Sequence, residues 1–159
     1  MADAPMVPVE LLGVRQYRGQ EIVVLLLDAE AELVVPITVG PREASAIASA
    51  QAGVVPPRPM THDLLRDLLR AAAVRLDRVE IVALRDGVFH AELVLSNGAR
   101  VDSRASDAIA LAVRTASPLL CAGEVVATAG IEVMDNEQAG TVEEFRTFLE
   151  HVEPEDFEV

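Results

Sequence analysis

The chain has no lysine and no tryptophan: all 13 basic residues are arginine, and aromatic residues make up 3% of the 159 positions. Proteins that bind nucleic acid tightly and non-specifically carry a basic surface, often with aromatic side chains on which bases stack. The formal net charge here is −13, which has the opposite sign. The composition therefore argues against any function that requires strong nucleic-acid binding.

Cysteine occurs once, as Cys121 in the apolar stretch PLLCA, so a disulfide framework and a Cys–His nucleophile are poorly supported. We interpret it as a small core residue. No apolar run reaches the roughly 18 residues that span a bilayer. The start, MADAPMVPVE, lacks the basic and apolar regions of a signal peptide. We therefore expect a cytoplasmic protein without membrane contact.

The negative charge is concentrated near the C-terminus, because residues 119–159 carry eleven acids and a single arginine. Thr141 and Glu144 form a capping-box pattern there. Apolar residues then recur at helical spacing, at Val142, Phe145, Phe148, Leu149 and Val152. We predict a folded domain over 1–130 and an acidic segment with an amphipathic helix over 131–159. That helix packs on its own domain, on a second copy or on a partner, and we favour the first.

Two sets of three strands, each followed by a helix, are predicted from alternation, apolar runs and turn signals. The first set is 7–16, 21–28 and 33–39, with Gly13 in a bulge and Pro36 at an edge or bulge. The second is 78–84, 88–96 and 99–103, joined by the hairpin turns Asp86-Gly87 and Asn97-Gly98. The run EIVVLLLD suits a strand that is covered on both faces.

Three helices are predicted, over 41–53, 61–74 and 106–116. The first is rich in alanine and serine, and the second has Thr61 as a plausible N-cap and a stripe of four leucines, Leu64, Leu65, Leu68 and Leu69. The first and third share a short pattern, Glu43-Ala44-x-x-Ile47-Ala48 and Asp107-Ala108-x-x-Leu111-Ala112. We therefore predict an α+β fold with duplicated β-β-β-α units around short Ala-rich helices.

Each of the three helices begins with an arginine close to its first turn and an acid inside it. The three groups are Arg42 with Glu43, Arg58 with His62 and Asp63, and Arg104 with Ser106 and Asp107. Helix N-termini bind anions, and arginine adds a fork that matches phosphate or carboxylate. The same residues are also expected in a purely structural role, since first-turn acids stabilise the helix dipole and pair with arginine.

The side chains at these three helix starts are of the types that phosphodiester hydrolysis requires. His62 is the candidate acid or base near neutral pH, and Arg58 and Arg104, with Thr61 and Ser106, are candidates to hold the phosphate. Glu43, Asp63 and Asp107 are catalytic candidates that could hold a divalent ion, Mg²⁺ or Mn²⁺. The sequence has no HExxH, GxSxG or P-loop motif.

Three stretches together resemble the bifunctional nuclease domain family: VPITVGPREASAIASAQAGVVPPRPMTHDLL, LRDGVFHAELVL and RASDAIALAVRTASPLL. The resemblance covers about residues 7–130, and the ending FLEHVEPEDF is similar to that of bacterial members. It implies an α+β fold, DNase and RNase activity and oligomer formation. The family's motifs match Glu43, Arg58 to Asp63, Asp86 to Phe89 and Ser106 to Ala112. One position departs from the family pattern A-R-P-S-D, since Ala105 replaces the proline.

Two functions from different classes follow from these observations. The first is a nuclease that binds DNA or RNA weakly and forms a homo-oligomer. The second is a non-catalytic oligomeric regulatory or scaffold module in which the same polar groups form a structural network. Convergence of Glu43, His62 and Asp107 in a solvent-open pocket favours the nuclease, whereas burial and mutual pairing favour the scaffold.

Overall fold

The structure is a computed structural model that describes residues 5–16 and 18–133. These residues form eight strands, four α-helices and a short 3₁₀ turn at Arg18–Gln20. The strands are β1 (Met6–Gln16), β2 (Ile22–Asp28), β3 (Leu33–Val39), β4 (Leu76–Arg85), β5 (Val88–Leu95), β6 (Arg100–Arg104), β7 (Leu119–Ala122) and β8 (Ile131–Glu132). The helices are α1 (Pro41–Gln51), α2 (Thr61–Ala71), α3 (Ala105–Thr115) and α4 (Gly123–Ala129).

The strands form one mixed sheet in the order β6-β5-β4-β7-β1-β2-β3-β8. Neighbours are antiparallel except β4 and β7, which are parallel. Strand β1 joins the two halves, because its first four residues pair with β7 and the rest pair with β2. The α+β fold is thereby confirmed. Each half contains a three-stranded meander followed by a helix, but descent of the halves from one duplicated unit stays a prediction.

Strand β2 is buried on both faces, as its apolar sequence predicts. On one face Ile22, Val24 and Leu26 join the main core beneath the helices. On the other face Val23, Leu25 and Leu27 belong to a second apolar cluster, which Leu12 completes and against which Val34 and Val133 pack. The bulge expected at Gly13 is present, since the register of β1 with β2 shifts between Leu11 and Gly13.

Small side chains bring α1 and α3 together over the main core. The buried positions of α1 are Ala44, Ile47 and Ala48, and α3 buries every residue from Ala108 to Ala112. Alanine has no side chain beyond Cβ, so these two helices approach each other and the sheet closely. The starts of α1 and α3 are thereby placed at the same end of the molecule, where Glu43 and Asp107 lie.

Several element boundaries differ from the sequence prediction. Helix α2 begins at Thr61 but its N-cap is Met60, whose N–H donates to Asp63 Oδ2 at 2.9 Å. It ends at Ala71 because Ala73 adopts a positive φ of 58°. Strand β7 and helix α4 were missed. The first is only four residues long, and the second contains paired valines, which favour strands.

The orientation of α2 differs most from expectation, because an amphipathic helix normally packs its apolar face on the core. The residues it buries are His62 and Asp63, whereas Leu64 and Leu68 remain 58% and 60% exposed. Of the leucine stripe, Leu69 packs against the main core. The polar face of this helix thus points inward and most of its apolar face points outward.

Cys121 is a core residue, as predicted. It lies on β7 and is completely inaccessible to solvent. Burial, together with the nearby negative charge of Asp28, raises the pKa of the thiol to about 12. Because the thiolate is the reactive form of cysteine, this side chain has no role in nucleophilic chemistry at neutral pH.

Candidate functional site

The starts of α2 and α3 are joined by a histidine–aspartate contact. His62, in the first turn of α2, has its Nε2 atom 2.9 Å from Oδ1 of Asp107, in the first turn of α3. The second carboxylate oxygen of Asp107, Oδ2, accepts a hydrogen bond of 2.8 Å from Nε of Arg104. Arg104 is the N-cap residue of α3, so the extended end of β6 holds the arginine beside the helix start.

Arg104 extends the contact to the start of α1. Its Nη1 atom donates to Oε1 of Glu43 at 3.3 Å. The other oxygen of Glu43 lies against Gly40, where an added Cβ would meet it. Glycine at the position before α1 therefore leaves room for this carboxylate. We call His62, Asp107, Arg104 and Glu43 the polar cluster.

The polar cluster is open to solvent on one side. The side chain of Arg104 is 65% exposed and that of Asp107 is 34% exposed, while His62 lies deeper at 11%. Glu43 is 25% exposed. Arg104 is therefore the most exposed of the four side chains and His62 the most buried. The predicted convergence of Glu43, His62 and Asp107 is thus present as a paired cluster, intermediate between an open pocket and a buried network.

Hydrogen bonds favour the ionised forms of Asp107 and Arg104. Burial raises the pKa of Asp107, but the hydrogen bonds and charges of Arg104 and His62 outweigh it and hold the pKa below its usual value of 3.8. The hydrogen bond to Asp107 raises the pKa of Arg104. An ionised carboxylate only accepts hydrogen bonds, so His62 Nε2 must carry the hydrogen. In the neutral imidazole, Nδ1 then has the lone pair.

Asp63 is separated from the polar cluster by its own partner, Arg114. Nε of Arg114 donates to Asp63 Oδ1 at 2.8 Å, and the two side chains are 9% and 8% exposed for Asp63 and Arg114. Arg114 also donates to the backbone oxygens of Ala46 and Ala110, at 3.0 and 2.8 Å. This arginine thus ties α1, α2 and α3 together. No sequence motif indicates this role, since Arg114 is a single arginine in a mostly apolar helix.

The three carboxylates predicted as metal ligands do not form a common donor set. Across residues 5–16 and 18–133 no group of three or more His, Cys, Asp or Glu side chains is placed to hold a metal ion. Both oxygens of Asp63 are bound, one by Arg114 and one by the N–H of Met60. Glu43 and Asp107 each face the guanidinium of Arg104. Since Mg²⁺ and Mn²⁺ need several oxygen ligands, this arrangement does not fit them.

The remaining residues predicted to contact phosphate lie around the helix starts. Arg58 is exposed in the linker that precedes α2, and Thr61 is exposed as the first residue of that helix. Ser106 is buried in the first turn of α3. The phosphate-binding roles of Arg58, Thr61 and Ser106 stay predictions.

The fold and the polar cluster define an α+β protein with a histidine, two carboxylates and an exposed arginine where three helices begin. Residues 24–134 match the bifunctional nuclease domain, and the chain belongs to that family. The resemblance noted in the sequence is thereby confirmed. Family membership points to a nuclease-like function.

Two relatives come from Mycobacterium tuberculosis. They are the uncharacterized protein MT1877 of strain CDC 1551 / Oshkosh and the uncharacterized protein Rv1829 of strain ATCC 25618 / H37Rv. Each is 42% identical to this chain over 158 residues, which cover 94% of the chain and 96% of the relative.

Among the described residues, no helix is both long and apolar enough to cross a bilayer.

Proposed function

We propose that the polar cluster hydrolyses phosphodiester bonds in DNA and RNA. The observation that carries the proposal is the contact of 2.9 Å between His62 and Asp107, beside the exposed guanidinium of Arg104. A carboxylate that fixes the tautomer of a histidine is a recurring arrangement in acid–base sites. Membership of the bifunctional nuclease domain family supports the choice of substrate.

His62 acts as the acid and base of the proposed reaction. With Asp107 ionised and bound to Nε2–H, Nδ1 of His62 takes a proton from the attacking water. The water oxygen bonds to phosphorus while the bond from phosphorus to the leaving oxygen breaks. The proton on His62 is then returned to that oxygen. Asp107 holds the imidazole in one orientation and stabilises its charged form.

Arg104 supplies positive charge for the phosphate. In the transition state the phosphate oxygens carry extra negative charge, which a preorganised guanidinium stabilises. Nε and Nη1 of Arg104 engage Asp107 and Glu43, which hold the side chain in place. Arg58, exposed in the linker before α2, is the second cation that we assign to the phosphate.

Removing the guanidinium tests this role. We expect Arg104→Met to lower the cleavage rate of a fluorescently labelled single-stranded oligonucleotide by about 100-fold or more. Arg66→Met is the matched control, because Arg66 pairs with Asp67 on α2 outside the polar cluster and should keep its rate. Equal rates for Arg104→Met and the wild type would show that Arg104 takes no part in the reaction. Parallel assays with EDTA and with added Mg²⁺ test whether cleavage depends on the divalent ion that the sequence analysis considered.

The scaffold function remains the second candidate. It is favoured by two observations. Both oxygens of Asp107 are paired, and the side chain of His62 is largely buried. In that case the polar cluster serves to join α1, α2 and α3, much as Arg114 does. The wild-type protein would then show no cleavage, and Arg104→Met would change its stability alone.

A further inference from the structure

The face of the sheet opposite the helices carries a second set of buried apolar side chains. They lie on β1 and β2 and are at most 5% exposed. They are Leu12, Val23, Leu25 and Leu27, against which Val34 and Val133 pack. We call these six residues the outer cluster. Because successive side chains of a strand point to opposite faces, the sheet separates the outer cluster from the main core.

The four helices of the described residues do not cover the outer cluster. The apolar side chains that α1, α3 and α4 bury all belong to the main core, and Leu69 of α2 packs there as well. On a sheet face in contact with water, apolar side chains stay partly exposed, as Ile131 does opposite Val34 at the edge of this face. The nearly complete burial of the outer cluster therefore requires a cover from outside the described residues.

The chain leaves the described residues beside the outer cluster. Strand β8 pairs with β3 at the edge of the sheet. Val133 follows, donates its N–H to the backbone oxygen of Glu32 at 3.1 Å and packs on the outer cluster. Residues 134–159 therefore begin at the rim of this surface. Residues 1–4, by contrast, precede the end of β1 that pairs with β7, away from β2.

Residues 141–152 have the pattern that such a cover needs. They lie outside the described residues, and the sequence predicts an amphipathic helix there. Its apolar stripe consists of Val142, Phe145, Phe148, Leu149 and Val152. When extended, the connection over 134–140 spans up to about 23–25 Å, whereas β8 and β1 are three strand spacings apart, about 14 Å. The connection is therefore long enough to bring the stripe over β2.

We propose that residues 141–152 pack their apolar stripe on the outer cluster of their own chain. Phe145 and Phe148 are the largest side chains of the stripe and supply most of the buried area. The acids of the segment then face water, on the side of the sheet away from the helices. The polar cluster lies at the helix starts, so docking keeps the nine acids of residues 134–159 apart from Arg104.

Paramagnetic labelling of the full chain tests where the segment lies. A nitroxide on Thr147→Cys, opposite the stripe on the predicted helix, should broaden the amide signals of Val23 and Leu25. The signal of Leu68 on α2 should keep its intensity. Cys121 does not take up the label, because it is completely buried. The nitroxide-bearing chain is diluted into chain of natural isotope content, so that the broadening arises within one molecule.

Substitution in the stripe is the second arm of the experiment. Phe148→Glu should abolish the broadening at Val23 and Leu25, because burying an unpaired charge in the outer cluster is strongly unfavourable. Phe157→Ser is the matched control, since Phe157 follows Pro154 and lies outside the stripe, and it should leave the broadening unchanged. Mixing nitroxide-bearing chains with separate isotope-labelled chains tests a second copy as the occupant. This mixed sample should show no broadening at β2.

Thiol protection tests the cover itself. Leu25→Cys places a thiol in the outer cluster, and it should react with a maleimide about 10-fold faster or more when Phe148→Glu is also present. Leu68→Cys, on the exposed side of α2, should react at one rate in both backgrounds. Equal rates for Leu25→Cys in both backgrounds, or broadening that is absent from β2 or confined to the mixed sample, would each overturn the proposal.

Discussion

His62→Ala is expected to lower the rate of DNA and RNA cleavage by about 100- to 10,000-fold while leaving the fold intact. The imidazole is the one group of the polar cluster suited to accept and donate a proton near neutral pH. Because the side chain of His62 is only 11% exposed and contacts Asp107, thermal unfolding must be compared alongside the rate. The cleavage rates of His62→Ala and the wild type are measured with a fluorescently labelled oligonucleotide. Thermal unfolding of the same preparations shows whether the fold is retained.

His90→Ala is the histidine control for this experiment. His90 lies on β5 and faces Arg104 in the register of the sheet, but it is not among the residues of the polar cluster. Its replacement should leave the rate within a few-fold of the wild type. If His62→Ala keeps full activity under identical conditions, the cleavage arises from a contaminant or from another site, and the proposed function is wrong.

Asp63→Ala should cause the largest loss of stability, about 3–5 kcal/mol in the free energy of unfolding. The variant leaves the buried guanidinium of Arg114 without its carboxylate and removes the acceptor for the Met60 N–H. Chemical unfolding followed by circular dichroism measures the difference. Asp67→Ala is the control on the same helix, because its pair with Arg66, at 32% and 40% exposure, is far more accessible to water and is worth about 1 kcal/mol or less.

The stability that Asp63 provides depends on pH in a defined direction. Burial raises the pKa of Asp63, but the hydrogen bonds from Met60 and Arg114 outweigh it and lower the pKa from the usual 3.8. A carboxyl group with a depressed pKa stabilises the fold above its unfolded pKa, and this stabilisation is lost as the pH falls through its folded pKa. The gap between wild type and Asp63→Ala should therefore be constant near pH 7 and shrink below pH 3.8. A gap that persists at the lowest pH would contradict the ion pair as its cause.

Much of the fold follows from local sequence. The apolar run of β2 and the positive φ values of Asp86 and Gly87 are consequences of residue type and turn chemistry. The position of α2 is different. Its leucine pattern predicts an apolar inner face, but the polar contacts of His62 and Asp63 with residues of α3 set the opposite orientation. Contacts between residues 45 and 51 positions apart leave no periodic signal in the chain.

The candidate site was also only partly predictable, because some of its contacts join residues far apart in the sequence. An arginine and an acid at each helix start indicated Glu43, Arg104 and Asp107, and the structure joins them. Asp63 has the same kind of sequence context as Asp107, yet it is bound by Arg114, which no motif indicated. The two aspartates differ in their partners, since Asp107 pairs with Arg104 three residues before it and Asp63 pairs with Arg114 on another helix.

The most direct test of the proposed site is an NMR titration of the wild-type protein with a phosphorothioate oligonucleotide, which resists cleavage. A trace contaminant cannot change the resonances of this protein, so the measurement is independent of purity. We expect the imidazole signals of His62 and the Nε signal of Arg104 to shift together and to saturate at one affinity. The amide of Leu68, on the opposite face of α2, should remain unchanged. Signals of His62 and Arg104 that stay constant at high oligonucleotide concentration would contradict the assignment of the polar cluster as a phosphodiester site.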